Sequence, residues 1–475
     1  MNRPDRGAAR GAALLLCLLA PAASAQESER PWWQPPGGRR LGDTNVRDLG
    51  DWDFAFGIQY RFMYNASNIP GPGGSSFGDT DGYDFARQRL RLNFDVKPKD
   101  YDAGAHMQFE FRGGSGGTAP GDTDPRSVEP TLNPFNFIDV RGIRFGYLYW
   151  DPAPDQRVIG GILPVSDEFG DTLFSADWDW NVAGVALLGE TEGSRYRAAV
   201  LETVEGVGSL DRTVVDNDGR MIILDYSRPI TGSPTDWAFG WGLHLYALLV
   251  EEDLPLGGTE QFWFGPTFKA KKYDLTVDAF AMVNTGDLGQ GTLDTDGTVI
   301  SGFGDEDADS HTGYALKLGA QKPVGEDMNL KAFVLHTSGD SDGDVNSRFV
   351  TPQGLFGTLG YWGFTHIFTP NGPSDVNDFG LEIGNDGAGL FTLQSVLTKP
   401  VTDKVDLHLA GGFFQASEAR NGSRDMGYEL SLMASCELSG PSRVDVGVAY
   451  ADLDEFFGPD PDSIYEIFLR WQLQF

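Results

Sequence analysis

The sequence predicts an all-β protein, a transmembrane antiparallel β-barrel of about 18 strands, with 16 also possible. Three observations favour this fold. An export signal opens the chain, apolar and polar side chains alternate with a period of two along most of it, and short connections alternate with long ones. Short periplasmic turns, long extracellular loops and a location in the outer membrane of a Gram-negative bacterium are expected of such a barrel.

The first 25 residues have the three parts of a secretory signal peptide. Arginines precede the apolar run GAALLLCLLA, and Ala23-Ser24-Ala25 provides a cleavage site. The apolar run is too short to span a bilayer as a helix. We expect the Pro- and Gly-rich residues 26–50 to form a short periplasmic arm, and residues 51–475 to form the barrel.

The composition narrows the class of protein. The formal net charge is −33, so nucleic acid is not expected as a partner. No apolar stretch of 18 residues follows the signal peptide, so no transmembrane helix is predicted. Cleavage would leave Cys436 as the sole cysteine, and no intramolecular disulfide could then form. A large exported β-protein and an outer-membrane barrel remain as alternatives.

The connections between the alternating segments separate these alternatives. Every second connection is short, such as KPKDYD and DPAPDQ, whereas most of the others are long and rich in Gly and Asp. A sandwich has no reason to sort its loops in this way, but a barrel does. Residues 359–386 are the least regular part, either an extended hairpin or a loop folded inward. The predicted strands lie near 53–64, 84–96, 102–112, 140–150, 155–163, 182–189, 194–203, 219–228, 236–250, 260–271, 273–284, 311–321, 328–337, 389–399, 404–415, 425–436, 442–451 and 464–475.

The last predicted strand, YEIFLRWQLQF, alternates up to the final residue. In a barrel it would pair with the first strand, so that neither strand leaves unpaired backbone groups in lipid. A terminal aromatic residue, here Phe475, resembles the signal by which the barrel assembly machinery recognises outer-membrane proteins. That machinery is therefore an expected partner.

Arginines at alternate positions identify the predicted lumen. In DFARQRLRLNFDV, Arg87, Arg89 and Arg91 share one face of a strand. Each would cost ~2–4 kcal/mol at the middle of the bilayer, so this face must point into the lumen. The other candidate lumen residues are Arg61, Glu110, Arg112, Arg144 and Arg470 on adjacent strands, with Lys317 farther round the wall.

Two roles are open for these arginines. They could form a track that guides anions through successive charge-assisted contacts. Alternatively, they could pair with Glu110, with Asp95 or with acidic residues of an inward loop, and so brace the wall. The two roles can coexist in one pore.

The long loops repeat short acidic patterns, of which DSDGD is the densest. Asp340, Asp342 and Asp344 could bind Ca²⁺ or bridge to lipopolysaccharide through divalent ions, although simple solvated Asp-Gly turns are favoured. The six histidines show no metal-ligand spacing, and the only G-x-S-x-G match lies in a Gly-rich loop. We therefore predict no catalytic site, and no cofactor other than this Ca²⁺.

The order of several segments resembles porins of the alginate-export type. The segments are RQRLRLNFDVKP, AGAHMQFEFRG, RVIGGILPVSDEFGDTLFSADWDWNVAGVALLG and LHTSGDSDGDVNSRF. The resemblance implies an outer-membrane channel of about 18 strands with a positive lumen that passes anionic sugars or oligosaccharides. Gly160-Gly161-Ile162 departs from the family pattern, which has an arginine there. FARQRLRL followed by GGILPVSDEFGD also resembles phosphate-selective porins, more weakly.

These observations predict a porin for passive diffusion of small hydrophilic solutes, preferentially anionic ones such as acidic sugars. A dedicated exopolysaccharide export pore and a non-channel structural or adhesive barrel are the alternatives. Outer-membrane lipid, lipopolysaccharide and small anionic or saccharide solutes are the expected partners. The sequence does not indicate an oligomeric state.

Overall fold

The computed structural model describes most of the chain after residue 45. The described residues are 46–48, 50–68, 83–115, 143–176, 180–191, 193–205, 218–231, 236–250, 258–288, 292–293, 299–301, 310–325, 327–340, 347–355, 362–369, 380–438 and 440–474. The predicted signal peptide, most of the predicted arm and Phe475 lie outside these residues. Among the residues described, no helix has the length and apolar character needed to cross a bilayer.

Eighteen antiparallel strands form one closed barrel, and each is hydrogen-bonded to its neighbours in sequence. The first barrel strand pairs with the last over Gln59–Ser67, which closes the wall as the sequence predicts. The barrel strands are β2 (Trp52–Ser67), β3 (Tyr83–Pro98), β4 (Ala103–Ser115), β5 (Ile143–Ala153), β6 (Gln156–Pro164), β7 (Asn181–Thr191), β8 (Ser194–Glu205), β9 (Asp218–Thr231), β10 (Ala238–Val250), β11 (Glu260–Lys272), β12 (Leu275–Asp287), β15 (His311–Val324), β16 (Met328–Thr337), β17 (Leu390–Thr402), β18 (Val405–Arg420), β19 (Ser423–Glu437), β20 (Ser442–Leu453) and β21 (Ile464–Gln474).

Three short strands complete the β structure. Part of the predicted arm, β1 (Val46–Asp48), pairs with the start of β2. Two more, β13 (Thr292–Leu293) and β14 (Val299–Ser301), pair with each other in the connection after β12. Single helical turns occur at Pro352–Leu355, Asn385–Gly387 and Glu455–Phe457.

The period-two alternation of each strand gives the barrel an apolar exterior and a more polar interior. Leu148, Leu318 and Leu409 are among many apolar side chains exposed on the outer wall, where they would face hydrocarbon. On the inner wall, Gln108 and Asp445 are buried polar residues. A closed barrel with such an exterior is the architecture of an outer-membrane protein.

The connections follow the predicted parity. At one end of the barrel every connection has two to six residues, and we assign this end to the periplasm. At the other end they run from nine to 52 residues, with the exception of the two-residue turn at 421–422. The 18 strands and both classes of connection are therefore confirmed.

The described residues of two long connections fold into the barrel rather than over it. We call residues 165–180 the first inward loop and residues 338–389 the second inward loop. Phe169 and Phe174 of the first are buried, as are Phe349, Ile367, Phe368 and Ile383 of the second. In the irregular region around 359–386, the described residues thus follow the inward-loop alternative rather than an extended hairpin.

Candidate functional site

Strand register brings the predicted arginines onto one contiguous part of the inner wall. Arg61 of β2 lies opposite Arg89 of β3 on one side and opposite Gln472 of β21 on the other. One row nearer the periplasm, Arg91 lies opposite Glu110 of β4. Arg144 reaches this group from β5, where it donates to Gln108 Oε1 at 3.0 Å. We call Arg61, Arg89, Arg91 and Arg144 the arginine wall.

One carboxylate serves three guanidiniums of the arginine wall. Glu110 Oε2 forms an ion pair and hydrogen bond with Arg91, and it lies 3.6 Å from Arg144 Nε and 3.9 Å from Arg89 Nε. Arg61 instead donates to Gln472 Oε1 at 3.2 Å. Arg91 Nη2 has no hydrogen-bond partner among the described residues. Within the described part of the chain, Glu110 is thus shared by three of the four guanidiniums of the wall.

The arginine wall also supports the first inward loop. Arg144 Nη2 donates to the backbone carbonyl of Ala176. A backbone carbonyl is therefore one bracing contact from this loop. Asp95, another predicted bracing partner, pairs with His106, whose Nδ1 lies 3.1 Å from Asp95 Oδ1.

The remaining predicted lumen residues differ in position. Arg470 Nε donates to Asp445 Oδ2 at 2.9 Å, so this arginine is paired with a carboxylate. Lys317 lies apart from the arginine wall, with its Nζ 4.6 Å from the centroid of the Phe333 ring. The backbones of Arg87 and Arg112 pair with Met63 and Arg89, and their side chains lie outside the described residues.

A second charged cluster occupies a different part of the inner wall. Asp225 of β9 accepts hydrogen bonds from Arg197 Nε at 2.6 Å and from Tyr246 Oη at 2.9 Å, and its Oδ1 lies 2.7 Å from His244 Nδ1. Tyr246 Oη in turn accepts from the backbone N–H of Glu168 at 3.1 Å. We call Arg197, Asp225, His244 and Tyr246 the anchor wall, because it holds the first inward loop.

The first inward loop is organised around Asp167. Its carboxylate accepts backbone N–H groups of Phe169, Asp171, Leu173 and Phe174 at 2.5–3.1 Å. Burial, and then the charge of Asp171, raise the pKa of Asp167 to about 7, although the backbone donors oppose this shift. Phe169 packs edge-on against His244, Tyr246 and Phe280 with ring centroids 4.9–5.9 Å apart.

One carboxylate of the wall makes three hydrogen bonds to the second inward loop. Glu429 of β19 accepts the backbone N–H groups of His366, Ile367 and Phe368 at 2.6–3.0 Å. The ring of Phe368 stacks on Phe414 of β18 at 4.2 Å. Three converging N–H groups make a concave binding site for an anion, which Glu429 fills.

Glu382 is a further buried carboxyl within the second inward loop. Its Oε2 accepts from Thr351 Oγ1 at 3.1 Å, which joins two distant parts of the loop. Burial raises the pKa of Glu382 to about 7, against the lowering effect of the Gly384 N–H.

The predicted Ca²⁺ ligands fall partly outside the described residues. Asp340 is described and accepts from Ser347 N at 3.3 Å and Ser347 Oγ at 3.2 Å, whereas Asp342 and Asp344 are not. Within the described part of the chain, no group of three or more His, Cys, Asp or Glu side chains comes together. The Ca²⁺ site stays a prediction.

Sequence reasoning missed several residues of the inner wall. Arg443 of β20 donates to Asp445 Oδ1 at 2.8 Å and extends the set of inner-wall arginines by one strand beyond Arg470 of β21. The anchor wall and Glu429 were also missed. A polar residue on the inward face of an otherwise apolar strand was the available signal, and Asp225, Tyr246 and Glu429 all fit it.

Comparison with solved structures identifies the same fold in outer-membrane porins. Acinetobacter baumannii OccAB1 is 12% identical, with 89% of this chain and 96% of that chain covered and a TM-score of 0.55. A BenF-like porin from Pseudomonas fluorescens Pf-5 is 9% identical, covering 89% and 99%, with a TM-score of 0.54. Pseudomonas aeruginosa OpdK with vanillate is 11% identical, covering 88% and 98%, with a TM-score of 0.53.

No protein-family model matches the sequence, and no curated protein matches it. At identities of 9–12% the solved structures show the fold. They give no support to the resemblance to alginate-export porins. The fold and the apolar exterior together are those of a protein of the Gram-negative outer membrane.

Proposed function

We propose that this protein is a porin through which small hydrophilic solutes diffuse passively, with a preference for anions such as acidic sugars. The observation that carries the proposal is the clustering of four guanidiniums on the arginine wall. Four guanidiniums lie together there, and Glu110 is the carboxylate placed among them. Their field favours anions in the adjacent lumen, because charges away from bulk water are only weakly screened.

The structural neighbours support a channel rather than an enzyme. OccAB1, OpdK and the BenF-like porin share the fold, and the OpdK structure contains vanillate, a small aromatic carboxylate. A solute of this size and charge suits a lumen narrowed by two inward loops. Polymer export is not favoured, because those loops are tied to the wall by several buried hydrogen bonds.

Other expectations from the sequence are part of the same proposal. Outer-membrane lipid, lipopolysaccharide and the barrel assembly machinery are the proposed partners. Ca²⁺ at Asp340, Asp342 and Asp344 is a proposed ligand of the extracellular loops.

Neutralising two residues of the arginine wall tests the anion preference. In Arg89→Gln/Arg91→Gln the permeability ratio of chloride to potassium should fall at least about fivefold, since one unit charge about 4 Å away contributes ~1 kcal/mol even in water. The measurement is the reversal potential of single channels in a planar bilayer under a KCl gradient.

Arg220→Gln is the matched control. Arg220 is an exposed arginine on β9, paired with Glu202 at 3.2 Å and remote from the arginine wall. It should leave the permeability ratio unchanged. An unchanged ratio in the correctly folded double variant would remove the permeation role and leave the bracing role.

A further inference from the structure

An apolar groove crosses the outer wall at the periplasmic end of the barrel, on the side opposite the lumen. It has a volume of about 530 Å³ and follows β4, with Trp52 and Val96 on one side and Leu148 and Trp150 on the other. Trp52, Leu148 and Trp150 are 48%, 69% and 56% exposed. These side chains belong to the lipid-facing surface, so the groove opens into the membrane.

Small residues create the groove. One row across five strands reads Val96, Ala105, Leu148, Gly160 and Val185 in the strand register. The next row toward the periplasm places Ala103 beside Trp150. Alanine and glycine therefore alternate with larger side chains across the strands. This leaves the groove along β4 in the apolar outer surface. A hydrocarbon chain has the matching shape and polarity.

The charges at the mouth of the groove indicate the headgroup of its occupant. Tyr101 lies in the turn at 99–102, lines the mouth and is 67% exposed. Asp100 and Asp102 flank it and are exposed. Lys99 belongs to the same turn, with its Nζ 4.0 Å from Asp53 Oδ1. Three carboxylates and one ammonium group complement a zwitterionic headgroup, whose amine would meet Asp100 and Asp102 and whose phosphate would meet Lys99.

We propose that this groove binds one phosphatidylethanolamine molecule from the periplasmic leaflet. One acyl chain lies over Ala103 and Ala105 between the flanking tryptophans. The headgroup ammonium meets Asp100 and Asp102, and the phosphate lies toward Lys99. A phosphatidylglycerol headgroup lacks the ammonium and would face the two carboxylates with a net negative charge, so it binds less well. The site is independent of solute transport through the lumen.

Native mass spectrometry of the detergent-solubilised barrel tests the site. The protein is mixed with equal amounts of phosphatidylethanolamine and phosphatidylglycerol, and adducts are counted at increasing collision energy. We expect one phosphatidylethanolamine adduct that outlasts the others. In Ala105→Leu this adduct should fall roughly tenfold, because the added carbons fill the floor of the groove.

Two further variants separate the parts of the proposal. Asp100→Asn/Asp102→Asn should keep one lipid adduct but lose the preference for phosphatidylethanolamine. Ala279→Leu is the matched control: Ala279 lies on the outer face of β12, opposite Phe268 and Leu318, far from the groove. It should leave the adduct unchanged.

Three outcomes would overturn the proposal. Equal retention of both lipids by the wild type would mean non-specific boundary lipid only. Retention of the adduct in Ala105→Leu would place the lipid elsewhere on the barrel. A dimer peak that Ala105→Leu abolishes would make a second copy of the chain the occupant.

Discussion

The arginine wall and the anchor wall contain the same kinds of side chain but differ in charge balance. On the arginine wall, three guanidiniums share Glu110 and the fourth, Arg61, hydrogen-bonds a glutamine. On the anchor wall, Arg197 has Asp225 to itself among carboxylates, and that carboxylate is completed by His244 and Tyr246. Several guanidiniums therefore cluster around Glu110 on one wall, whereas a single guanidinium pairs with Asp225 on the other.

This difference separates two uses of charge inside a barrel. A guanidinium paired with its own carboxylate has little charge left to attract a solute, and the contribution of such a pair is to fix the first inward loop. An unbalanced cluster attracts counter-ions from the lumen. The arginine wall also helps to fix the first inward loop, since Arg144 donates to the carbonyl of Ala176.

Breaking the anchor wall should have the largest effect on stability. In Asp225→Ala, Arg197 becomes a buried charge without its partner, so unfolding free energy should fall by about 3–5 kcal/mol. Urea titration of the refolded barrel, followed by tryptophan fluorescence, measures the loss. The chloride preference of the channels that remain folded should persist. A normal urea midpoint would show that the anchor wall does not support the barrel.

Removing the Glu110 carboxylate should increase the difference in charge between the arginine wall and the anchor wall. Glu110→Gln removes one negative charge from the arginine wall, so the chloride-to-potassium permeability ratio should rise about fivefold. The reversal potential under a KCl gradient measures it. Glu202→Gln, which removes the exposed partner of Arg220, is the control. A fall in the ratio after Glu110→Gln would contradict the assigned role of this wall.

The first inward loop should make selectivity depend on pH. Burial and Asp171 raise the pKa of Asp167 to about 7, above the value in the unfolded chain. Stability from the protonated form is therefore present at low pH and is lost as pH rises through 7. The same deprotonation adds negative charge to the lumen, so anion preference should decrease between pH 6 and 8, by less than the change in Glu110→Gln.

Asp167→Asn should remove that pH step in reversal potential. Because the pKa of Glu382 is also raised to about 7, both proteins are compared in a Glu382→Gln background. If the step persists without Asp167, another group controls it.

The smallest expected effect comes from one hydroxyl of the anchor wall. Tyr246→Phe removes the link between Asp225 and the Glu168 N–H but keeps the aromatic contact with Phe169. The loss should be about 1 kcal/mol of unfolding free energy, with more frequent brief fluctuations of the open-channel current. Tyr226→Phe, at an exposed tyrosine, is the control. Currents as steady as those of the wild type would mean that this hydroxyl does not hold the loop.

The strands could be predicted from the sequence because their signal is local. Alternation within ten residues marks a strand and also its inward face, as DFARQRLRLNFDV shows for β3. Closure between β2 and β21 then follows from the cost of an open edge in lipid. Once the barrel is closed, the register of neighbouring strands is sufficient to place Arg61, Arg89 and Arg91 together.

The inward loops could not be predicted in the same way, because their contacts join distant residues. Tyr246 meets Glu168 across 78 positions, and Glu429 meets Phe368 across 61. Loop sequences have no period that relates them to the wall they touch. The charge balance of each wall depends on these contacts and on register together, so the sequence left the permeation and bracing roles of the arginines open.

The most direct test of the central claim is the reversal potential of the refolded wild-type barrel in a planar bilayer under a KCl gradient. The arginine wall predicts discrete open channels whose reversal potential shows a preference for chloride. Cation preference would contradict the account, because the acidic loops would then control permeation. Folded barrels without conductance would contradict it too, since the inward loops would then close the lumen.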